Sequence, residues 1–305
     1  MARTGLVTLP SRAKGAAPSP VLLVLLAILS VQFGGAMAAT LLPLIGVTGS
    51  VTLRLVLAVA LLLLFARPRV RGYTRSDWIT VISFGVSLAA MNTAFYASLT
   101  RLPIGVAVTI EFVGPLLLAA TLSRRLRDFL AVLVAAVGVL LISEVLNSSA
   151  DTVDPIGVLL ALTAGAAWAA YILLSARAGQ RFPRLDGLTL AMIVAAVLVA
   201  PFGVATAGAA LVSPEALLKG LGIALLSSVL PYSLELLALR RLAARIFGIL
   251  LSLEPAVAAL AGFVVLGQLL SPVQLVGIAC VVLASVAVTR TGPPPSRHEG
   301  AAEVG

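Results

Sequence analysis

Ten apolar runs alternate with short polar segments along this chain: 20–41, 46–66, 77–98, 103–123, 128–146, 155–175, 185–206, 215–238, 245–265 and 271–289. Each is close to the length of about 20 residues that a helix needs to cross a bilayer core. Water is absent from that core, so every backbone N–H and C=O must be satisfied within the segment, and helix is the predicted form of each run. The expected fold is an all-α integral membrane protein of ten transmembrane helices. The polar stretch "EVLNSSADTVDP", residues 144–155, divides the set into five and five. The predicted organisation is a polar segment 1–19, a five-helix half 20–146, a second half 155–289 and a polar tail 290–305.

Composition agrees with the pattern. Of 305 residues, 60% are hydrophobic and 11% charged, against about one quarter charged in soluble domains. The net charge of +9 raises the question of nucleic acid, and the placement of the basic residues answers it. If the N-terminus is cytoplasmic, 18 of the 21 lysines and arginines fall in cytoplasmic segments. Arg101 and Lys219 fall outside and Arg54 inside a helix. That is the positive-inside signature of an inner-membrane protein with both termini cytoplasmic, and it leaves no basic face for nucleic acid. The basic N-terminus, apolar run and "AMA" at 36–38 also suit a cleavable signal peptide. Apolarity continues through Leu44, however, and removal would leave nine spans and invert the charge asymmetry.

The segment "LPIGVAVTIEFVGP" (102–115) aligns without gaps on "LAARIFGILLSLEP" (242–255). These lie in the fourth and ninth runs. Five is odd, so two such halves cross the membrane in opposite senses. An inverted repeat of this kind places a substrate site near the midplane where the halves meet. Apolar helices also resemble one another by composition alone, which is the plainer explanation of the match.

Four charged residues sit well inside predicted spans: Arg54, Glu111, Glu235 and Glu254. Each costs about 2.5–3.5 kcal/mol at a helix centre unless paired or facing a water-filled cavity. Glu111 and Glu254 are central and read as functional or helix-positioning. Glu235 is nearer an edge, where its carboxylate could snorkel to water. Arg54 needs an anion, either one of the glutamates or the carboxylate of a substrate. Asn92 and Tyr96 at i, i+4 share a helical face, as do Trp168 with Tyr171 and Tyr232 with Glu235 at i, i+3. Such faces can line a pocket. Tyr73 and Trp78 suit a membrane edge, and Gly34, Gly35 and Ala38 suit close helix packing. Pro115, Pro231 and Pro255 each remove a helical hydrogen bond.

Four stretches carry a family resemblance: "MNTAFYASLTRLPIGVAVTIEFVGPL" (91–116), "LPYSLELLALRRLAARIFGILLSLEPAVAA" (230–259), "TLRLVLA" around Arg54 and "GAAWAAYIL" around Trp168. Together they resemble the EamA-type drug/metabolite transporter superfamily, most nearly its bacterial inner-membrane exporters of threonine and homoserine, over residues 20 to 290. The resemblance implies a 5+5 inverted-repeat carrier driven by the proton gradient, with small neutral amino acids as substrates and no cofactor. From the polar residues inside the spans and their shared faces, Arg54, Asn92, Tyr96, Glu111, Trp168, Tyr171, Tyr232, Glu235 and Glu254 are the candidate substrate and proton-binding residues. Departures are Gly267–Gln268, where a Gly-Glu pair is usual, and Ala243, where a proline is usual.

Absent motifs narrow the alternatives. No G-x-x-x-x-G-K-[ST] loop is present, so ATP hydrolysis is not expected. The single histidine, His298, is in the polar tail, and no aspartate lies deep in a span, which argues against an intramembrane protease or another enzyme. The single cysteine, Cys280, excludes an intramolecular disulfide and a thiolate metal site. Export of another metabolite or drug is the nearest alternative; a passive channel or an integral-membrane enzyme stands further off. The expected partners are the small-molecule substrate, protons and the lipid bilayer, with a homodimer as the one oligomer considered.

Overall fold

In the computed structural model, the structure describes residues 18–102, 104–143, 154–257, 260 and 271–289, and these are helical with short connections. The helices are α1 (Pro20–Ala66), α2 (Arg75–Ser98), α3 (Ile104–Leu122), α4 (Leu126–Ile142), α5 (Pro155–Arg181), α6 (Asp186–Ala207), α7 (Pro214–Ala224), α8 (Leu230–Leu239), α9 (Ala244–Leu251) and α10 (Pro272–Thr289). Among them six stretches are long and apolar enough to cross a membrane: Thr40–Ala66, Arg75–Ser98, Pro155–Arg181, Asp186–Val212, Pro214–Leu239 and Pro272–Thr289. Pro20–Gly35 and Val106–Leu122 are shorter apolar helices. The protein is a multi-pass, all-helical membrane protein.

Helix starts follow local chemistry. Thr74 and Asp77 cap α2 reciprocally, each side chain accepting the other's backbone N–H. Asp154 accepts from Ile156 N at 2.8 Å ahead of Pro155 on α5. Ser213 caps α7 through Ala216 N, and Ser271 and Gln274 pair reciprocally at the start of α10. Proline at the first helical position costs nothing there, because its missing N–H would have been unpaired anyway.

Interruptions mark where sequence expectation and structure part. The runs 20–41 and 46–66 form one helical assignment, broken at Gly46, whose φ of 69° and ψ of −176° are non-helical. Met37 packs over Gly222 while Leu53 packs over Gly220. Sixteen residues of straight helix would span about 24 Å, so the chain doubles back between Pro43 and Gly46. The eighth run is likewise divided, with a π turn at Leu225–Val229 between α7 and α8. Pro231 has no N–H for the carbonyl four residues back, and this loosening fits a widened turn. The ninth run breaks at Ser252, and helix resumes over 253–257. The linker around Ser149, the terminal segments, Gly267 and Gln268 lie outside the described residues.

In lipid, apolar burial does not drive helices together, so close backbone approach must. α4 and α10 cross at Gly138 and Gly277, where a methyl group on either would lie 2.8 Å from the other's carbonyl oxygen. α3 meets α5 at Gly165 and α9 at Gly248 in the same manner. Gly34 is close-packed against Ser227, but Gly35 has nothing within 4 Å. The packing role expected of Gly35 is therefore incorrect; it faces a cavity.

The two ends of the bundle differ in charge. At one end Arg69 N–H donates to Asp186, Arg181 pairs with Asp77, Arg245 with Asp128, and Arg241 donates to the Pro18 carbonyl. At the other, Arg101 pairs with Asp154 and Lys219 with Glu215.

Candidate functional site

A cavity of about 480 Å³ lies between the helices and is lined by both arms of α1 and by α2, α3, α4, α5, α8, α10 and the Glu254–Pro255 segment. Arg54, on the second arm of α1, is buried at its wall. Its Nε donates to Ser228 Oγ at 2.8 Å, Nη1 to Tyr96 Oη at 3.2 Å, and Nη2 to Tyr232 Oη at 2.8 Å and to Asn92 Oδ1. Tyr96 and Tyr232 also offer their rings, 5.8 and 6.0 Å from the guanidinium carbon. A guanidinium has five N–H donors. Four are used, all on neutral acceptors, and among the described residues no carboxylate comes within ion-pair distance. The ion pair with a glutamate, one of the two readings of Arg54, is not formed. One donor and the full charge remain for something in the cavity.

Three carboxyl groups face the same space. Glu111 on α3 is buried, and its side chain makes no hydrogen bond or ion pair among the described residues. Pro115 leaves the Glu111 carbonyl without its helical donor. Gly165 packs directly on that carbonyl, bringing α5 close enough for Trp168 to reach the cavity. Trp168 stands edge-on to Phe112 with ring centres 5.0 Å apart. Glu235 is only 5% exposed and accepts from Tyr171 Oη at 2.6 Å. The expectation that Glu235 snorkels to an interface is thus overturned, since α8 turns it inward. Glu254 lines the cavity, and its backbone carbonyl accepts from Gln32 Nε2 at 3.4 Å. Among the described residues its carboxyl makes no hydrogen bond. Glu254 lies within electrostatic reach of both Glu111 and Glu235.

Of the nine candidates, eight line the cavity: Arg54, Asn92, Tyr96, Glu111, Trp168, Tyr232, Glu235 and Glu254. Tyr171 stands behind them, fully buried, holding Glu235. Sequence reasoning missed Ser228, which orients Arg54, and Gln32, Ser227 and Gln274 on the cavity wall. Gln32 was visible as the one amide in an otherwise apolar first run. The Ser227–Ser228 pair gave little signal, because serine in a membrane helix usually bonds to its own backbone.

Comparison with known proteins bears on the whole chain. A profile of the EamA-like transporter family matches residues 155–290. The threonine/homoserine exporter RhtA of Escherichia coli strain K12 is 40% identical over 272 residues, which is 89% of this chain and 92% of that protein. The chain belongs to the EamA-like transporter family. RhtA of Salmonella typhimurium strain LT2 is 39% identical over the same shares, and the uncharacterized transporter YwfM of Bacillus subtilis strain 168 is 27% identical over 70% of this chain and 73% of its own. A protein of known crystal structure shares the fold, with a TM-score of 0.70 at 17% identity over 89% of this chain and 96% of that one. In this EamA-like transporter the matched segment supplies Trp168, Tyr171, Tyr232, Glu235 and Glu254. Arg54, Asn92, Tyr96 and Glu111 come from before it, so the cavity draws on both sides of that boundary.

Proposed function

We propose that the protein is a secondary-active inner-membrane exporter of small zwitterionic amino acids, threonine and homoserine first, in exchange for protons. The observation that carries this reading is Arg54: a buried guanidinium with neutral partners only and one unused donor, across a cavity from three carboxyl groups. A zwitterion supplies what each side lacks. Its carboxylate meets Arg54, and its ammonium meets Glu111 or Glu254. Glu111 in this scheme holds either a proton or the substrate ammonium, not both, and that exclusion is the logic of exchange. Forty per cent identity to the exporter RhtA supports the substrate class.

The accompanying architecture is ten spans in two inverted halves, 20–146 and 155–289, with both termini cytoplasmic. The two arms of α1 count as two spans, α7 and α8 as one, and α3, α4, α9 and α10 complete the set with α2, α5 and α6. Contacts support the symmetry. α2 packs on α5 much as the first arm of α1 packs on α7 at Met37 and Gly222, while α3 meets α9 and α4 meets α10.

Overexpression followed by growth on inhibitory threonine or homoserine tests the substrate. Higher tolerance and faster release from preloaded cells are expected. No change in either would overturn the assignment. Glu111→Gln keeps shape but cannot ionise; it should abolish gradient-driven export while the protein stays folded, and full proton-dependent export in this variant would remove Glu111 from the mechanism.

A further inference from the structure

A second cavity, of about 220 Å³, lies at the basic end of the bundle, between the α1–α2 and α5–α6 connections, lined by Ala66, Arg67, Arg69, Pro183, Arg184 and Asp186. Three features set it apart from the scattered arginines that orient a membrane protein. First, Arg67 and Arg184 have φ of 41° and 45° and are, among the described residues, the two non-glycine residues in the left-handed region. That conformation penalises L-residues sterically, so the fold holds two arginines in disfavoured backbones on opposite sides of one pocket. Second, none of Arg67, Arg69 and Arg184 forms an ion pair with a carboxylate among the described residues, whereas Arg101, Arg181 and Arg245 all do. Third, the acid in the lining is already committed. Asp186 Oδ2 accepts the Arg69 N–H and the Tyr73 hydroxyl, each at 3.2 Å, and so pins the two connections together. Burial and this carboxylate push the Tyr73 phenol above its ordinary range, which keeps it a donor. Arg240 braces the far wall by donating to the carbonyls of Gly179, Phe182 and Arg184.

The geometry points to a binding site for a phosphate group carried by an anionic phospholipid. The net charge of the lining is +2, and guanidinium forks match phosphate oxygens in pairs. A lipid is favoured over free phosphate by what lies beside the pocket. Leu64 and Phe65, in the last turn of α1, are 69% and 79% exposed, an apolar collar against which acyl chains lie while the headgroup reaches the arginines. Basic pockets of this kind between membrane helices take acidic lipid headgroups. The inference does not depend on the transport reading or on which side of the membrane the basic end faces.

Native mass spectrometry of the full-length protein released from nanodiscs of equal phosphatidylglycerol and phosphatidylcholine tests it. The wild type should retain phosphatidylglycerol preferentially. The triple variant Arg67→Ala, Arg69→Ala, Arg184→Ala should lose retention on the order of a hundredfold, about fivefold per arginine. Arg71→Ala, Arg75→Ala, Arg125→Ala removes equal charge outside the pocket and should retain the lipid. Equal loss in both triples would reduce the effect to diffuse attraction and overturn the site. Arg67→Gly with Arg184→Gly relieves the left-handed backbone penalty that arginine and alanine share, so this variant separates loss of the guanidinium from loss of the fold; unchanged retention there would also overturn it. Displacement of the lipid by millimolar inorganic phosphate would overturn the lipid assignment in favour of a free anion.

Discussion

At the scale of single residues, a polar group inside the membrane persists only where its partners or its work repay its desolvation. Arg54 has four neutral hydrogen-bond partners, shared among all three nitrogens of its fork. Arg54→Lys keeps the charge but has three donors around a point, so it cannot span Ser228, Tyr96, Asn92 and Tyr232 together. Export at saturating intracellular substrate is expected to fall by about tenfold or more, the worth of one charged hydrogen bond. Thermal stability in detergent, measured in parallel, separates this from misfolding; wild-type export rates would contradict the assigned contact. Asp154 is a second case, outside the spans. The Arg101 guanidinium, then the Ile156 N–H, hold its carboxyl below the usual range. A lowered pKa means the charged form stabilises the fold above the unfolded value, about 3.9, and that stabilisation is lost as pH falls through the folded one. Asp154→Asn retains the cap but not the charge. Its melting temperature should lie below the wild type at pH 7 and converge with it in acid, with no change between pH 5 and 8. The conspicuous residues were legible in the sequence because charge in an apolar run cannot be incidental. Ser228 and Gln32 were not legible as partners, since hydroxyls and amides are tolerated in helices for local reasons.

At the scale of elements, spans could be read from apolar length, but their interruptions could not. Gly46 and the π turn before Pro231 depend on how the chain returns against neighbouring helices. Periodicity over one run contains no record of that. Glycine spacing was equally ambiguous. Gly34 and Gly35 are adjacent, yet one carries Ser227 against it and the other opens to the cavity. This contrast gives a paired prediction. Gly165→Ala puts a methyl group 2.5 Å from the Glu111 carbonyl oxygen, which is backbone and cannot yield. It should cost about 1–3 kcal/mol of stability, as overpacking does, and displace α3 from α5, lowering the melting temperature and export together. Gly35→Ala has open space before it and should leave the melting temperature unchanged while weakening homoserine or threonine export by narrowing the cavity. Equal behaviour of the two variants would mean that the helix crossing does not position Glu111.

At the scale of the whole molecule, the two ends of the cavity are built differently. Its wall includes Ser143, at the end of α4, and Gln274, in the first turn of α10, both at the end opposite the basic loops. The basic end is drawn shut by Arg181–Asp77 and by Arg245–Asp128, which ties α9 to α4. In the proposed topology the Arg245–Asp128 contact is the closure that must release for substrate to enter from the cytoplasm. The pair is imperfect in a telling way. Nη1 lies 3.1 Å from Asp128 Oδ2, within ion-pair distance, yet that oxygen and Arg245 Nε make no hydrogen bond. A half-buried pair held by charge with poor alignment can close the end and still part. Arg245→Gln leaves the buried Asp128 with only the longer contact to Arg127, at 3.7 Å, and removes the tie between α9 and α4, so the equilibrium should move toward the conformer open at the basic end. Ser143→Cys reports the shift. In an otherwise cysteine-free background (Cys280→Ala), it should react readily with a membrane-impermeant maleimide from outside, and more slowly once Arg245→Gln is added. Asp128→Asn combined with Arg245→Gln removes the weakly paired charge and should restore much of the outer reactivity. Unchanged labelling in the Arg245→Gln variant would show that the end is held shut by other contacts and that this ion pair is not the closure.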